Sequence, residues 1–364
     1  MTDTRQITKA MCPTVLSAAV TIMLAGSAAA AFAQENNAGP LLLKAQGSFF
    51  VGGETRHTDA TTGTPGGLIF PNGDDIKVNQ MYVQFQIPES DAHRVPVVML
   101  HGCCLSGKTW ETTPDGRMGW GEYFLRKGHA VYIPDQSSRA RSGFDATTIN
   151  EVRLGTQPLS ALPSIFTFGR NGAWQLFRFG PAYPTVFSDE QFPVEAMDEF
   201  GKQVIPDLNA TLPTPNPTFA NLAALGVQIG GAVLMGHSES GFFPEEAALT
   251  NPAGLKGLIS IEGFCSPLTQ PQIATLAKIP TLVIYGDHLA DVPSVSAFWV
   301  GAFNGCQQFV DQINAAGGDA QMLYLPAAGV FGNSHMLMQD RNNLQVGDMI
   351  LAWLDRHVER KGHD

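Results

Sequence analysis

Basic residues are scarce in this 364-residue chain: 22 Lys and Arg stand against 33 Asp and Glu, a formal net charge of −11. Nucleic acid and anionic membrane surfaces are held by clustered cations, so neither is expected as a partner. Long apolar runs are also scarce. Beyond residue 33 no stretch approaches the ~18 uninterrupted apolar residues of a spanning helix, so no transmembrane anchor is expected. Metal-type cysteine spacing such as C-x-x-C is missing, and the pattern calls for no metal or organic cofactor.

What is present begins with a leader. Arg5 and Lys9 make a positive start, residues 11–31 are apolar and rich in small side chains, and Ala31-Phe32-Ala33 is an A-x-A cleavage pattern before Gln34. Residues 1–33 therefore read as a secretory signal peptide. The exported chain, residues 34–364, would carry a charge of −12 and the four cysteines Cys103, Cys104, Cys265 and Cys306. Export is to a disulfide-permissive compartment, where four cysteines allow three pairings.

The mature length suits one large α/β domain. Residues 34–45 read as a loose start, followed by short strands at 48–53 and 67–70 broken by glycine. Residues 81–88 alternate apolar and polar, the pattern of a half-buried antiparallel strand. Continuous apolar runs at 95–100, 129–133, 231–235, 255–261, 280–285 and 320–325 read as buried strands, mostly separated by helical stretches. Such alternation implies a mostly parallel sheet with helices on both faces. It is interrupted at about 136–217, a segment rich in proline and in aromatics including Phe166, Trp174, Phe177 and Phe192. That segment is too apolar for a disordered linker and is expected to form a cap over the carboxyl edge of the sheet.

In sheets of this kind ligands bind where strands end. Gly236-His237-Ser238-Glu239-Ser240-Gly241 lies between an apolar run and a helical stretch, the context of a nucleophile elbow. Ser240 occupies the usual second glycine position, and Gly241 follows one residue late. A serine hydroxyl needs a base, and the base needs an orienting acid. The small-residue loop 329–335 ends in His335, which follows the last strand and is the candidate base. His288 follows Asp287 directly, and His357 and His363 fall in or beyond the final helix. Two strand-end acids, Glu262 and Asp287, are equally placed to orient the base. For a tetrahedral oxyanion the candidate donors are the backbone N–H of Glu239 and that of Cys103, after His101-Gly102. Cys103 and Cys104 are neighbours, with Cα atoms about 3.8 Å apart, below the usual disulfide range. A bond between them would be a strained ring able to lock the peptide; separate pairings with Cys265 and Cys306 are the alternative.

Together His101-Gly102-Cys103-Cys104, the hexapeptide around Ser238, Ile261-Glu262-Gly263-Phe264 and Gly332-Asn333-Ser334-His335-Met336 resemble a small group of exported bacterial esterases. The resemblance spans most of the mature chain, and the Cys-Cys pair is its most specific part. It implies the α/β-hydrolase fold, a triad of Ser238, Glu262 and His335, and a Cys103–Cys104 disulfide beside an oxyanion hole. Asp287 is then structural, and by subtraction Cys265 and Cys306 pair with each other. The expected function is a serine carboxylic ester hydrolase that acts on a small-molecule ester through an acyl-enzyme, in the periplasm or outside the cell. A lactonase, acyltransferase or amidase could use the same triad, and a non-catalytic binding protein could use the same scaffold.

Overall fold

Val233 and Met235 of the central strand face one apolar core, and Ala232 and Leu234 face another. Successive side chains of a strand point to opposite faces, so a strand covered on both sides has no polar positions to spare. The fold grows from that strand. A computed structural model describes residues 39–59, 73–89 and 94–359; the expected leader and the strand at 67–70 lie outside the described residues.

Among the described residues one eight-stranded sheet runs in the order β1-β2-β4-β3-β5-β6-β7-β8. Its strands are β1 (Leu43–Thr58), β2 (Asp74–Pro88), β3 (Val97–Leu100), β4 (Val131–Asp135), β5 (Ala232–His237), β6 (Leu255–Ile261), β7 (Thr281–Tyr285) and β8 (Ala320–Tyr324). β1 and β2 are antiparallel, as are β2 and β4; the rest of the ladder is parallel. This is the α/β-hydrolase architecture. Of the expected loose start at 34–45, residues 39–42 have no regular structure and 43–45 already belong to β1, which extends the strand expected at 48–53 in both directions and pairs with β2 along nearly its whole length. Pairing over so many residues carries the strand through Gly47, Gly52 and Gly53.

In chain order the helices among the described residues include α1 (Trp120–Arg126), α2 (Thr147–Leu154), α3 (Arg170–Leu176), α4 (Met197–Gly201), α5 (Pro217–Gln228), α6 (Phe243–Thr250), α7 (Gln270–Leu276), α8 (Ser296–Ala315) and α9 (Asn343–Leu354). Helix α5 starts where it does because Asn216 caps the N–H of Thr218 and Pro217 needs no hydrogen-bond acceptor there. Helix α7 was not expected, yet its start carries a capping box, Thr269 with Gln272. Among the described residues no helix is long and apolar enough to cross a membrane.

Residues 136–217 contain α2, α3, α4 and several short 3-10 turns. Trp174, Phe177, Phe179, Phe192 and Phe200 from this segment are buried in the same core as Val233 and Met235 of β5. Burying each such ring contributes roughly 2–3 kcal/mol, which holds the segment against the body of the protein. By contrast Leu154, Leu159, Leu162, Ile165 and Phe166 are exposed.

Candidate active site

Ser238 follows β5 directly and opens a 3-10 turn, Ser238–Phe242, that leads into α6. Its φ of +58° is left-handed, a conformation that a side-chain-bearing residue holds only under constraint from its surroundings. Part of that constraint is Ser240, whose hydroxyl accepts from the N–H of His237 at 3.0 Å and donates to the carbonyl of Leu100 at 3.1 Å. Another part is close packing at Gly102. A Cβ there would lie 2.7 Å from the Cβ of Ser238 and 2.9 Å from the carbonyl oxygen of His237, so only glycine fits. Ser238 itself is half-buried.

Glu262, at the end of β6, and His335, in the loop after β8, are both fully buried. Nδ1 of His335 lies 3.1 Å from Oε2 of Glu262. An ionised carboxylate only accepts, so Nδ1 carries the proton and Nε2 has the lone pair. Nε2 is buried with no hydrogen-bond partner among the described residues. The imidazole is held by three rings: Phe177 stacks on it at 5.0 Å, and Trp299 and His237 lie at 4.6 Å. Its backbone is pinned as well, with its N–H donating to the Phe177 carbonyl at 3.0 Å and its carbonyl accepting from Nε2 of His237 at 2.9 Å.

Burial alone would raise the pKa of Glu262. Arg178 and His335 outweigh it and hold the carboxyl at about 2. Burial lowers the pKa of His335 below its ordinary value, with Glu262 opposing the shift. Arg178, from the 136–217 segment, donates Nη2–H to Oε1 of Glu262 at 2.7 Å, and the same oxygen accepts the N–H of Gly286.

The other candidate acid is occupied elsewhere. Asp287 accepts the N–H of Gly332 at 3.0 Å and that of His288 at 2.7 Å, tying the end of β7 to the loop that carries His335. A further acid, Asp340, was missed by the sequence reading. It accepts the Ser334 N–H at 3.0 Å, the Ser334 hydroxyl at 2.6 Å and the Asn333 amide at 2.9 Å. Burial pushes its carboxyl up to about 7 against those donors.

On the other side of Ser238 stand Cys103 and Glu239. Gln136 donates its side-chain N–H to the carbonyl of His101 at 2.7 Å and reaches Glu239 at 3.5 Å. Arg139, fully buried, pairs with Asp207 at 2.8 Å and reaches Glu239 at 3.4 Å. Burial and the neighbouring Asp207 raise the Glu239 carboxyl to about 7, while Arg139 and Gln136 pull it down. Cys103 donates to Asp207 at 3.2 Å, and its contact with Cys104, together with burial, raises its thiol. The two sulfurs lie 2.8 Å apart, longer than the ~2.05 Å of a formed disulfide. Cys265 and Cys306 are joined.

Among the described residues two groupings have the donor types of a metal site: Cys103, Cys104 and Asp207, and Asp189, Asp287 and His288. In the first Asp207 is neutralised by Arg139, and in the second Asp287 is committed to backbone N–H groups.

No protein-family profile matches the chain. The protein named "Probable secreted lipase phiG" from Fungal sp. (strain ATCC 74256) is 25% identical over 318 residues, covering 76% of this chain and 86% of its own. A bacterial esterase of known atomic-resolution structure is 48% identical, with a TM-score of 0.82, over 88% of this chain and 98% of its own. With nearly half the residues shared across almost the whole of that enzyme, the chain belongs to its family of carboxylic ester hydrolases, bacterial esterases built on the α/β-hydrolase fold.

Proposed function

We propose that the protein is an exported serine esterase that works through an acyl-enzyme, with Ser238 as nucleophile, His335 as base and Glu262 as the acid that orients it. The observation that carries this reading is His335 itself. One ring nitrogen is committed to a buried carboxylate, and the other is buried with no hydrogen-bond partner among the described residues, its lone pair open to a proton. In the reaction, Nε2 of His335 removes the Ser238 proton as Oγ attacks the ester carbonyl. The N–H groups of Cys103 and Glu239 hold the oxyanion, each donor worth roughly 10²–10³ in rate. Protonated His335 then gives its proton to the departing alcohol, leaving the acyl group on Ser238. Water repeats the sequence to release the acid.

The substrate is a small ester. Residues 136–217 act as the cap, since Phe177 from this segment stacks on His335 and Arg178 from it holds Glu262. Residues 1–33 act as the export signal, in keeping with the secreted relative. Export also suits oxidation of Cys103 and Cys104 to the disulfide expected from the sequence. The test is Ser238→Ala assayed on an activated aryl ester. Turnover should fall by at least ~10³-fold; near-normal turnover in a folded variant would remove the serine mechanism.

A further inference from the structure

Arg178 is a buried cation contributed by the 136–217 segment, and the proposed triad does not use it. Its side chain is fully buried, its Nη2–H donates to Oε1 of Glu262 at 2.7 Å, and its Nε–H donates to the Asp287 carbonyl at 2.8 Å. The guanidinium lies 4.8 Å over the ring of Trp299, which itself packs on His335. The preceding residue, Phe177, stacks on the same imidazole and accepts its backbone N–H. Arg178 has a φ of +62°, so the backbone is turned to send Phe177 to the base and Arg178 to the acid.

The geometry points to Arg178 as a positioning residue for ester hydrolysis: it fixes the Glu262 carboxylate, ionised and correctly turned, against Nδ1 of His335. The inference rests on the serine reading above and deepens it. A carboxylate with no solvent around it has two oxygens to satisfy. Arg178 and the Gly286 N–H take one, which leaves the other for the imidazole. A planar guanidinium does this better than an ammonium because its fork reaches Glu262 and the Asp287 carbonyl together. Other titratable groups whose charges reach the pair among the described residues include His237, Tyr285, Tyr324, Glu190 and Asp340, none of them a cation that could replace Arg178.

The sign of the pH effect follows. Arg178 lowers the basicity of His335 and holds Glu262 ionised. Removing its charge moves the imidazole toward easier protonation, so the acid limb of the rate profile must shift to higher pH. The experiment compares kcat/KM against pH for wild type, Arg178→Lys and Arg178→Gln, with active sites counted by a fluorescent phosphonate. Arg178→Gln should lose ~10-fold or more per active site and shift its acid limb to higher pH, and Arg178→Lys should recover most of both. A purely structural role would lower the number of active sites and leave the limb where it is, which would overturn the inference. If Arg178→Gln does not fold, the pair Arg178→Gln with Glu262→Gln removes both buried charges together. That double variant should be within about 3-fold of Glu262→Gln alone, because Arg178 acts through Glu262; a further 10-fold loss would contradict it. Failure of the phosphonate to label wild-type Ser238 would sink the serine reading instead, so the two failures are distinct.

Discussion

Four side-chain-bearing residues around the site, Cys104, Arg178, Ser238 and Glu262, hold a left-handed backbone, at φ of +59°, +62°, +58° and +52°. Each costs on the order of 1 kcal/mol, and such costs persist only where the surroundings over-determine them. Ser238 and Glu262 stand directly after β5 and β6, Cys104 in the loop after β3, and Arg178 just past α3 in the 136–217 segment. The proposed choice of acid rests on this scale too. Glu262 faces Nδ1 of His335, whereas both oxygens of Asp287 hold backbone N–H groups. Glu262→Gln should therefore lower kcat by ~10²–10⁴ with little change in melting temperature beyond that expected from its lost partner Arg178. Asp287→Asn should act mainly on stability, by about 1–3 kcal/mol, with kcat falling less than 10-fold. Steady-state kinetics and thermal melts on both variants check this, and the opposite pattern would exchange the two roles.

At the scale of elements, the loop that carries His335 is set by neighbours on both sides. Gly332, at φ +72°, passes so close to the 136–217 segment that an added Cβ would sit 1.8 Å from the carbonyl oxygen of Asp189. Gly332→Ala combines backbone strain with that clash and should cost about 2–4 kcal/mol in denaturant unfolding, with kcat lowered as the loop shifts; unchanged values would show that the loop is free to move. Sequence pattern reached this loop because His335 follows the last apolar run and lies among small residues. It reached Ser238 and Glu262 for the same reason: each stands next to a strand whose burial on both faces is written as an unbroken apolar run. Arg178 left no such mark. Its partner Glu262 is 84 residues away, and nothing local separates a buried arginine from a solvated one. Asp340 was hidden in the same way. Asp287 and Glu262 could not be told apart because both end strands, and only the turn after each strand decides where the carboxylate points. β1 was read as broken because its glycines weigh against a strand locally, whereas the pairing that overrides them is with residues further along the chain.

At the scale of the whole molecule, buried acids make stability depend on pH in two directions. Glu262, held at about 2, contributes stability that is present above its unfolded value near 4.5 and is lost as pH falls toward 2. Asp340 is the reverse. Its folded pKa of about 7 exceeds its unfolded value of 3.8, so between those limits the folded state binds the extra proton and stability falls as pH rises. Melting temperature should decline from about pH 5 to 7, and Asp340→Asn should flatten that slope even as it weakens the loop around Ser334. An equal slope in both proteins would place the titration elsewhere.

The central claim is that one serine, presented by a strained turn and served by a buried base, forms a covalent acyl intermediate. Its most direct test is to mix the enzyme with an excess of an aryl ester, quench in acid during turnover, and map the peptides by mass. The account predicts a burst of phenol equal to the number of active sites, and an acyl mass on Ser238 that is absent from Ser238→Ala. Full turnover with no burst and no adduct, or an adduct on Cys103 instead of Ser238, would contradict it.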